Sequence, residues 1–408
     1  MIPKVKAWLN LYPRQFWLVT SLVMFTWLFQ SLMWPYIMLY ISEKLGLQLS
    51  NVTWLMTLNA AVGMGTTFLG GFIADRFGRK WVIVLSLAIT AIGWFFFCTA
   101  DTLPVFALLL MITGASSPLY RIATDAMIAD LVPDSQRLDA YSVVRMGNNL
   151  GVALGPAIGG YLAYISYSIA FTVIGVGFAV IALLAALLIL ESKPSTIENP
   201  TAAVAVKGGY LQILKDRVFI ILLGGFTLNR VCTSILWLML AVYAKHNYGL
   251  SESMFGFIPT TNAVMVIVFQ LMVTKQVNRF RAEKAMIAGS LIYAIAVFSI
   301  AFGTGFWWFW LCMVLATVGE MILVPTTTTY TSRLAPVEMR ARYMSLYALT
   351  WGIGSALGPL IAGFTNDYIS PQAMWYAAGL IGLAGFGVFW WVARAKNRKM
   401  PEAEYLIQ

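Results

Sequence analysis

The chain alternates between long apolar runs and short polar connections, and this alternation predicts its secondary structure. Twelve runs are long enough to cross the hydrocarbon core of a bilayer as helices: residues 16–41, 52–73, 82–100, 104–129, 141–165, 168–190, 218–243, 253–274, 284–303, 306–330, 343–366 and 373–394. Six precede and six follow one long polar segment, residues 191–217. The pattern predicts an all-α integral membrane protein with two six-helix halves, residues 1–190 and 218–408. The linker between them, 191–217, holds at most a short surface helix near Tyr210 to Arg217.

Composition supports this prediction and orients it. The 408 residues are 60% hydrophobic and 11% charged, with a mean hydropathy of +0.78, which is too apolar for a soluble domain. Of 27 Lys and Arg residues, 22 lie on one side of the predicted spans, two lie on the other, and three lie inside spans, namely Arg121, Arg145 and Arg230. Since basic residues collect on the cytoplasmic side, we expect both termini and the linker in the cytoplasm. We also expect the plasma (inner) membrane of a prokaryote, and no nucleic-acid partner in spite of the formal net charge of +10.

The chain shows no pattern typical of a cofactor site. Cys98, Cys232 and Cys312 lie far apart in apolar runs, without the spacing of a disulfide or a metal site. The single histidine, His246, stands in an outer connection beside Lys245. The sequence has no phosphate-binding loop of the Gly-Lys-Ser/Thr type, so nucleotide-driven pumping is unsupported. We therefore expect neither a metal nor another cofactor.

The two halves are related by an internal repeat. At an offset of 203 residues, eleven positions of the first half meet identical residues in the second: Leu131, Pro133, Arg137, Ser142, Gly151, Ala153, Leu154, Gly155, Pro156, Ile158 and Gly160. The same offset brings Asp75-Arg76-Phe77 onto Asn278-Arg279-Phe280. Parallel repeats of this kind are typical of transporters in which two duplicated halves are related by an axis along the membrane normal.

The connection between the second and third runs carries a compact motif. Residues 71–80 read Gly-Phe-Ile-Ala-Asp-Arg-Phe-Gly-Arg-Lys, and so short a turn between two spans makes a helical hairpin. The motif resembles the signature of the major facilitator superfamily between helices 2 and 3. The resemblance covers nearly the whole chain. It implies the major facilitator fold, with twelve transmembrane helices in two parallel six-helix repeats and a substrate site between the halves of a single chain, so we expect a monomer.

By this resemblance the loop is a conformational latch, formed by Gly71, Asp75, Arg76, Gly78, Arg79, Lys80 and Asp130. We expect Asp75 to face a neighbouring helix N-terminus and Arg79 to reach an acid at the inner end of helix 4, either Asp130 or, as a second candidate, Asp125. The two glycines would permit close approach and the turn. The latch would hold the outward-facing state and break as the transporter opens inward. The alternative is a loop that only sets topology and whose charges meet water.

Small residues recur in helix 5 and again in helix 11. The helix 5 series resembles the glycine-proline signature associated with antiporters, although Ser142 stands where its first glycine would be. Glycines four residues apart allow close helix contact, and a proline bends the helix. The recurrence in helix 11 favours the alternative that this series serves packing alone. The predicted packing set is Gly151, Gly155, Pro156, Gly159, Gly160, Gly354, Gly358 and Pro359.

Charged side chains inside the predicted spans are a sharper functional signal, because each costs about 2.5 to 3.5 kcal/mol at a helix centre. Arg121 and Asp125 share a face of helix 4, and Arg145 of helix 5 lies at similar depth. We expect these three to form a buried cluster, which serves either as a static staple or in gating or proton movement. Arg230 and Glu320 fall near the midplane on helices 7 and 10. They form a permanent pair or bind a charged substrate group, and Glu320 is the first choice for a proton-coupling residue.

Aromatic and amide side chains supply the expected cavity lining. Helices 1, 4, 7 and 10 line the central cavity in the superfamily that the chain resembles, and such side chains suit bulky, partly apolar molecules. With 14% aromatic residues overall, many others must face lipid. The candidates are Trp27, Gln30, Trp34, Asn59, Tyr120, Asn148, Asn149, Asn229 and Trp237.

The leading hypothesis is a secondary active transporter that works by alternating access and exports small amphipathic organic compounds in exchange for protons. It resembles the bacterial twelve-helix drug/proton antiporter branch, with two departures. Leu110, Met111 and Ile112 precede Gly114 where that branch often has an arginine, and the first acid of helix 1 is Glu43, at its outer end. The expected partners are a small-molecule substrate, protons and the lipid bilayer.

Two alternatives stay open at the level of the sequence. One is a proton-coupled symporter or facilitator for a polar solute or an organic anion, which Arg230 would suit. The other, from a different class, is a membrane enzyme or a non-transporting receptor. Membrane enzymes usually present clusters of carboxylates or histidines, and the lone His246 argues against one. We therefore expect no enzymatic activity.

Overall fold

The computed structural model describes residues 11–133, 136–192, 213–336 and 339–397, and most of these residues are helical. We number the twelve long helices of the described chain in order: α1 (Arg14–Leu45), α2 (Leu49–Phe77), α3 (Arg79–Phe97), α4 (Leu103–Leu131), α5 (Arg137–Ile165), α6 (Tyr167–Leu188), α7 (Arg217–Tyr248), α8 (Glu252–Val277), α9 (Ala282–Phe302), α10 (Gly305–Leu334), α11 (Arg340–Tyr368) and α12 (Ala373–Asn397). Each overlaps one predicted apolar run, so the all-α prediction is confirmed. Most of the linker, with the surface helix predicted near Tyr210, lies outside the described residues.

Eleven of these twelve helices are long and apolar enough to cross a membrane, among the residues that the structure describes. The exception is α5, which has 29 residues but carries Arg137, Asp139, Arg145, Asn148 and Asn149. A helix of that length spans about 44 Å at 1.5 Å per residue, which is ample for a bilayer. Its polar side chains therefore mark a helix with one face turned away from lipid.

Local chemistry explains where several helices begin, end or break. Gly46 and Gly249 end α1 and α7 in the left-handed conformation, with φ of 62° and 65°, which costs a glycine little. The Asp216 carboxylate caps α7 by accepting a hydrogen bond from the backbone N–H of Phe219 at 3.1 Å. Pro35 lies in a short 3₁₀ segment, Trp34–Tyr36, where α1 departs from regular helix.

The helices form two compact units. Unit 1 comprises Met1–Gly46, Leu58–Asn199 and Ser251–Ala263, and unit 2 comprises Leu47–Thr57, Pro200–Leu250 and Val264–Gln408. The division follows the two halves of the sequence except at the beginnings of α2 and α8. The first residues of α2 belong to unit 2, and the first residues of α8 belong to unit 1. We refer to these two segments as the exchanged helix ends.

In unit 1 the exchanged end of α8 packs against α1, α5 and α6. The Tyr36 hydroxyl lies 3.0 Å from the carbonyl oxygen of Pro156 and 3.2 Å from that of Glu252, to which it donates. The Tyr167 hydroxyl donates to the buried Glu252 carboxylate at 2.8 Å. A Cβ atom on Gly160 would collide with the Glu252 carbonyl oxygen. The start of α8 is thus held by buried hydrogen bonds as well as by close packing.

In unit 2 the exchanged end of α2 packs against α11 in a related way. The Asp367 carboxylate accepts a hydrogen bond from the backbone N–H of Ser50 at 2.6 Å, at the positive N-terminal end of α2. The Thr57 hydroxyl donates to the carbonyl oxygen of Ala356 at 2.6 Å. Gly363 lies against Leu49, whose carbonyl oxygen would be 3.1 Å from an added Cβ. Close contact here again requires a glycine.

Aromatic and aliphatic side chains fill the interior of each unit. In unit 1, Tyr40, Trp94, Phe97, Phe106 and Phe171 join α1, α3, α4 and α6 through ring contacts of 4.7 to 6.0 Å. In unit 2 the buried cluster joins α7, α9, α10, α11 and α12, through Leu222, Phe226, Met286, Leu323, Tyr330, Tyr347, Phe389 and Val392. Both clusters keep large apolar surfaces in contact and fix the faces that each helix turns inward.

Candidate functional site

The turn between α2 and α3 depends on the residue at its centre. Gly78 has φ +89°, in the region that favours glycine, and it separates two long helices without any further connection. A Cβ atom there would also collide with the carboxylate of Glu191, which follows α6. Gly71 differs, because a Cβ at that position would have nothing within 4 Å. The expectation that Gly71 permits a close helix approach is therefore wrong for the described structure, since no neighbour lies against it.

Arg79 joins the turn to α4. Its side chain, 12% exposed, lies 3.2 Å from the Asp130 carboxylate through Nε and 3.0 Å from the Asp75 carboxylate through a terminal nitrogen. The Asp130 side chain is 22% exposed, whereas the Asp75 side chain is 71% exposed. The better-shielded pair, Arg79 with Asp130, is the stronger of the two because solvent screens it less. That these charges act as a latch stays a prediction.

Glu191 occupies the position that we expected for Asp75. Its carboxylate accepts hydrogen bonds from the backbone N–H groups of Arg79 at 2.9 Å and Lys80 at 3.2 Å, the first residues of α3. A carboxylate at a helix N-terminus satisfies unpaired N–H groups and complements the helix dipole. Asp75 instead points along the last turn of α2 towards Arg79, four residues on, so its predicted contact with a helix N-terminus is wrong. The sequence signal for Glu191 is slight: an acid directly after the sixth apolar run.

Two further basic residues of the motif lie on aromatic rings. The Arg76 guanidinium is 6.0 Å from the Phe72 ring centre and 5.8 Å from that of Phe77. The Lys80 ammonium is 5.4 Å from the ring of Trp81. Phe72, Phe77 and Trp81 are exposed, as expected of side chains at a membrane interface. Arg76 and Lys80 therefore anchor the turn beside its ion pairs.

Three glycines of α5 (Gly151, Gly155 and Gly159) face α1, and two of α11 (Gly354 and Gly358) face α7. A Cβ on Gly151 would approach the carbonyl oxygen of Met24 at 2.5 Å, and one on Gly159 would collide with the backbone of Leu32. On α11, a Cβ on Gly354 would lie 2.5 Å from the Cβ of Arg230. The sequence-derived packing set therefore lies at two matching helix crossings, where small residues let the backbones approach. Pro156 and Pro359 lie inside α5 and α11 at the same crossings.

Arg121, Asp125 and Arg145 do not form the predicted buried cluster. All three side chains are exposed, and no salt bridge joins them within the described ranges. In these ranges the Tyr141 hydroxyl donates a hydrogen bond to the backbone oxygen of Asp125 at 2.9 Å. The prediction of burial is wrong for the described structure, because all three residues are exposed there. Their role in gating or proton movement stays a prediction.

Arg230 lies in the interior of unit 2, on α7. It is 8% exposed, its guanidinium carbon lies 3.6 Å from the ring centre of Trp351, and it donates to the Tyr347 hydroxyl at 3.2 Å. That hydroxyl lies 2.9 Å from the hydroxyl of Thr327 and 3.3 Å from that of Thr328, both on α10. A cation on an aromatic face, joined to a row of neutral hydroxyls, forms a polar site among three helices. Neither Trp351 nor Tyr347 was singled out from the sequence.

Glu320 is half-buried and lies on α10, the helix that also carries Thr327 and Thr328. The buried Tyr293 of α9 lies within electrostatic reach of both Glu320 and Arg230. No salt bridge joins Arg230 to Glu320 among the residues that the structure describes, so the predicted permanent pair is absent. Arg230 is directed to Trp351 and Tyr347 instead, because α7 meets α11 at the close crossing of Gly354.

Two of the predicted cavity residues join helices. The Asn59 side-chain amide donates to the backbone oxygen of Leu110 at 2.7 Å, which links α2 to α4. The Asn229 side chain accepts from the Ser290 hydroxyl at 2.8 Å and donates to the Gly225 carbonyl oxygen at 2.9 Å. Asn229 is buried with both of these partners, so its assignment to a cavity lining is wrong. Asn59 is half-buried, and its assignment to the cavity stays a prediction.

The other cavity candidates differ in exposure. Trp27 is 40% exposed and Tyr120 is buried. Gln30, Trp34, Asn148, Asn149 and Trp237 are half-buried. Half-buried side chains suit a recess that a ligand closes, whereas Tyr120 is covered by its neighbours. The place of all seven residues in a cavity stays a prediction.

Comparison with known proteins shows what the chain is similar to. The family model described as Major Facilitator Superfamily matches residues 19–231 and again residues 222–405. The chain is 24% identical over 401 residues to a Na(+), Li(+), K(+)/H(+) antiporter of Planococcus maritimus, covering 88% of this chain and 91% of that protein. It is 26% identical over 379 residues to the multidrug resistance protein MdtH of Yersinia pestis (strain Pestoides F), covering 91% and 92%.

Solved structures have a fold similar to that of this chain. The crystal structure of a bacterial homolog of the human lysosomal transporter Spinster, in an inward-facing and unoccupied conformation, matches with a TM-score of 0.80 at 16% identity. The match covers 95% of this chain and 98% of that one. At so low an identity the likeness concerns the fold alone. The two matches of one family model to the two halves agree with the repeat at the 203-residue offset.

Proposed function

The chain belongs to the major facilitator superfamily, and from this membership we propose that it exports small amphipathic organic compounds in exchange for protons. The family and the curated relatives are transporters, so a membrane enzyme or receptor is no longer a competing hypothesis. The chain is thus a multi-pass membrane transporter with bacterial relatives. The direction, the protons and the substrate class are the proposal.

The observation that carries the proposal is the carboxyl group of Glu320 inside a membrane helix. It lies half-buried on α10, in the neighbourhood of Tyr293 and Arg230. A carboxylate at that depth costs free energy that only a function or a partner offsets, and a proton neutralises it at low cost. Loading and release of a proton at Glu320 would then change which molecule the polar site of unit 2 prefers. Relatives named as an antiporter and as a multidrug resistance protein support this choice.

The latch residues fit a cycle of alternating access. In such a cycle the Arg79–Asp130 pair would form in one conformation and separate in the other. A partly shielded ion pair of this kind biases the equilibrium between states by about 1 to 2 kcal/mol, enough to change a population roughly tenfold. The helix crossings at Gly151 and Gly354 would remain closed throughout, because both lie within single units.

A second candidate is the uptake or exchange of an organic anion. The observation that favours it is Arg230, a buried cation without a carboxylate partner in the described part of unit 2. In this case the proton gradient would drive entry rather than exit. The direction of proton-driven flux separates the two candidates.

The test is flux in proteoliposomes under an imposed pH gradient, with lipophilic cations, neutral drugs, sugars and organic anions as substrates. We expect an amphipathic compound to move against the proton gradient, and Glu320→Gln to abolish the coupling while leaving exchange at equal pH. Asp101→Asn removes an exposed carboxylate in a connection and serves as the matched control. Coupled flux that survives Glu320→Gln would make Glu320 a structural residue. Entry driven by the gradient would establish the second candidate.

A further inference from the structure

Arg230 is a buried cation that forms no salt bridge among the residues that the structure describes. It is 8% exposed, its guanidinium carbon lies 3.6 Å from the Trp351 ring centre, and it donates to the Tyr347 hydroxyl at 3.2 Å. Both of these groups are uncharged. A buried guanidinium normally has a carboxylate partner, because its desolvation costs several kcal/mol. The described contacts of Arg230 therefore do not include the carboxylate that would offset this cost.

The arrangement leaves donors of the guanidinium available. A guanidinium has five N–H donors in one plane, and a single hydrogen bond, to Tyr347, is formed in the described structure. The guanidinium carbon lies 3.6 Å from the centre of the Trp351 ring, a contact that uses none of the N–H donors. Two N–H groups of one edge match the two oxygens of a carboxylate, in the geometry that makes arginine the usual residue for such anions.

The residues next to Arg230 indicate where the apolar part of a ligand would lie. Trp351 is 47% exposed although one face lies against Arg230, so much of its indole is available to a bound molecule. A ring or alkyl chain placed there would be next to the charged group, as in an amphipathic molecule. The Tyr347 hydroxyl is hydrogen-bonded to the hydroxyls of Thr327 and Thr328, so the three provide a neutral polar wall.

We propose that Arg230 binds the carboxylate of an amphipathic organic monoanion, whose apolar part lies on Trp351. This inference rests on the proposed function, since it names the substrate class of that transporter. One guanidinium neutralises one negative charge. A phosphate dianion would bring a second charge into a neighbourhood that already holds Glu320, so a carboxylate fits better. The first half of the chain has Trp27 at the position related to Arg230 by the repeat, so the repeat does not carry this arginine into the first half.

The experiment is equilibrium binding to the purified full-length protein in detergent, without any pH gradient. The probes are four radiolabelled carboxylates (salicylate, 1-naphthoate, phenylacetate and octanoate), each paired with its uncharged amide. We expect the wild type to bind at least one carboxylate and to bind its amide about 30-fold more weakly or worse, as for the loss of a buried charge-assisted contact. Arg230→Gln should lose affinity for the carboxylate by the same factor, and Arg230→Lys should keep part of it.

The chain offers a matched control. Arg394 stacks on Trp390 with its guanidinium carbon 3.8 Å from the ring centre, nearly the Arg230 geometry, but it is exposed near the end of α12. Arg394→Gln should bind the carboxylate as the wild type does. The thermal midpoint of each variant shows whether it is folded, and Arg230→Lys tests the charge should Arg230→Gln unfold.

Three results would overturn the inference. They are equal binding of every carboxylate and its amide, no binding of any carboxylate, and unchanged binding in folded Arg230→Gln. Displacement of the bound carboxylate by phosphatidylglycerol but not by phosphatidylcholine would also overturn it, because Arg230 would then hold a lipid phosphate. The proposed function is tested by a different measurement, and flux that does not depend on the pH gradient would contradict it. Carboxylate binding that depends on Arg230, together with uncoupled flux, would uphold the site and refute proton exchange.

Discussion

The two halves of the chain have equivalent contacts at their helix crossings and different residues at their polar positions. Ser31 of α1 donates to the Gly151 carbonyl oxygen of α5 at 3.4 Å, and Ser234 of α7 donates to the Gly354 carbonyl oxygen of α11 at 2.7 Å. Both pairs are related by the offset of 203 residues. Gly46 and Gly249, which end α1 and α7, are related in the same way. The helix crossings are thus the part of the duplicated unit that has been kept.

The polar positions between those crossings have diverged. Arg230, Tyr347 and Trp351 of the polar site in unit 2, and the nearby Glu320, correspond at the same offset to Trp27, Val144, Asn148 and Ser117 of the first half. Crossings must keep small residues because any added atom collides, whereas a side chain that lines a recess can change without strain. The comparison therefore separates residues that hold the fold from residues that select a ligand.

The turns at the ends of α2 and α8 differ in the sign of their charges. In the first half Asp75, Asp130 and Glu191 surround Arg79 and the start of α3. At the related positions of the second half stand Asn278, Arg333 and Arg394. In the described structure Arg281 has the salt bridge of this second turn, 3.9 Å from Glu283. Among the described salt bridges, that of Arg79 with Asp130 joins the first turn to another helix, whereas that of Arg281 with Glu283 joins residues two positions apart in the second turn.

The largest effect that would test this comparison is at Gly159. A Cβ there would collide with the backbone of Leu32, whereas the related position in the second half is the fully buried Ala362, where a Cβ is already accommodated. We expect Gly159→Ala to lower the free energy of unfolding by about 3 kcal/mol, the upper range for overpacking. The thermal midpoint in detergent measures this.

Gly224→Ala is the control for that substitution, because a Cβ on Gly224 would have nothing within 4 Å. It should leave the midpoint unchanged or raise it, since alanine favours helix by about 0.5 to 1 kcal/mol over glycine. If Gly159→Ala melts with the wild type, the two crossings are equally tolerant and the comparison of packing fails.

The next effect is at the first turn. Arg79→Gln removes a side chain that is 12% exposed and contacts two carboxylates, and we expect it to slow transport about tenfold, which corresponds to about 1.4 kcal/mol. Arg279→Gln, in the exposed turn of the second half, should change the rate by less than about twofold. Initial rates in proteoliposomes check both. Equal losses in the two variants would show that the turns are functionally equivalent.

A smaller effect distinguishes the two serines at the crossings. The Ser234 hydrogen bond to Gly354 is 2.7 Å long and the Ser31 bond to Gly151 is 3.4 Å long. We expect Ser234→Ala to cost about 1 kcal/mol of stability and Ser31→Ala about 0.5 kcal/mol or less. The difference between the thermal midpoints of the two variants is the measurement. A larger loss for Ser31→Ala would reverse the ranking of the two crossings.

The smallest effect concerns an ion pair that one half has and the other lacks. Lys44 lies 2.9 Å from Asp101, with side chains 38% and 70% exposed, and the related positions hold Asn247 and Thr304. We expect Asp101→Asn to leave the thermal midpoint in detergent close to that of the wild type, as for other exposed pairs. Raising the salt concentration should remove any small difference. A large fall of the midpoint would mean that this pair is part of the fold.

The sequence predicted the helices, the repeat and the contact of Arg79 with Asp130, because length, spacing and loop brevity determine them. It did not predict which way Asn59 and Asn229 face. In a membrane protein both the lipid side and the packed side of a helix are apolar, so hydrophobic periodicity carries little information about rotation. The contact of Glu191 with the N-terminus of α3 was not predicted for another reason: it depends on where α6 ends in space.

The exchanged helix ends have the topology of a swapped dimer fused into one chain. Residues Ser251–Ala263 of the second half complete unit 1, and Leu47–Thr57 of the first half complete unit 2. A first half expressed alone would leave Gly160 and the Tyr167 hydroxyl uncovered, and a second half alone would leave Asp367 without the N–H of Ser50. Two separately made halves should therefore regain their structure by complementing each other, as two copies of a single ancestral half would have done.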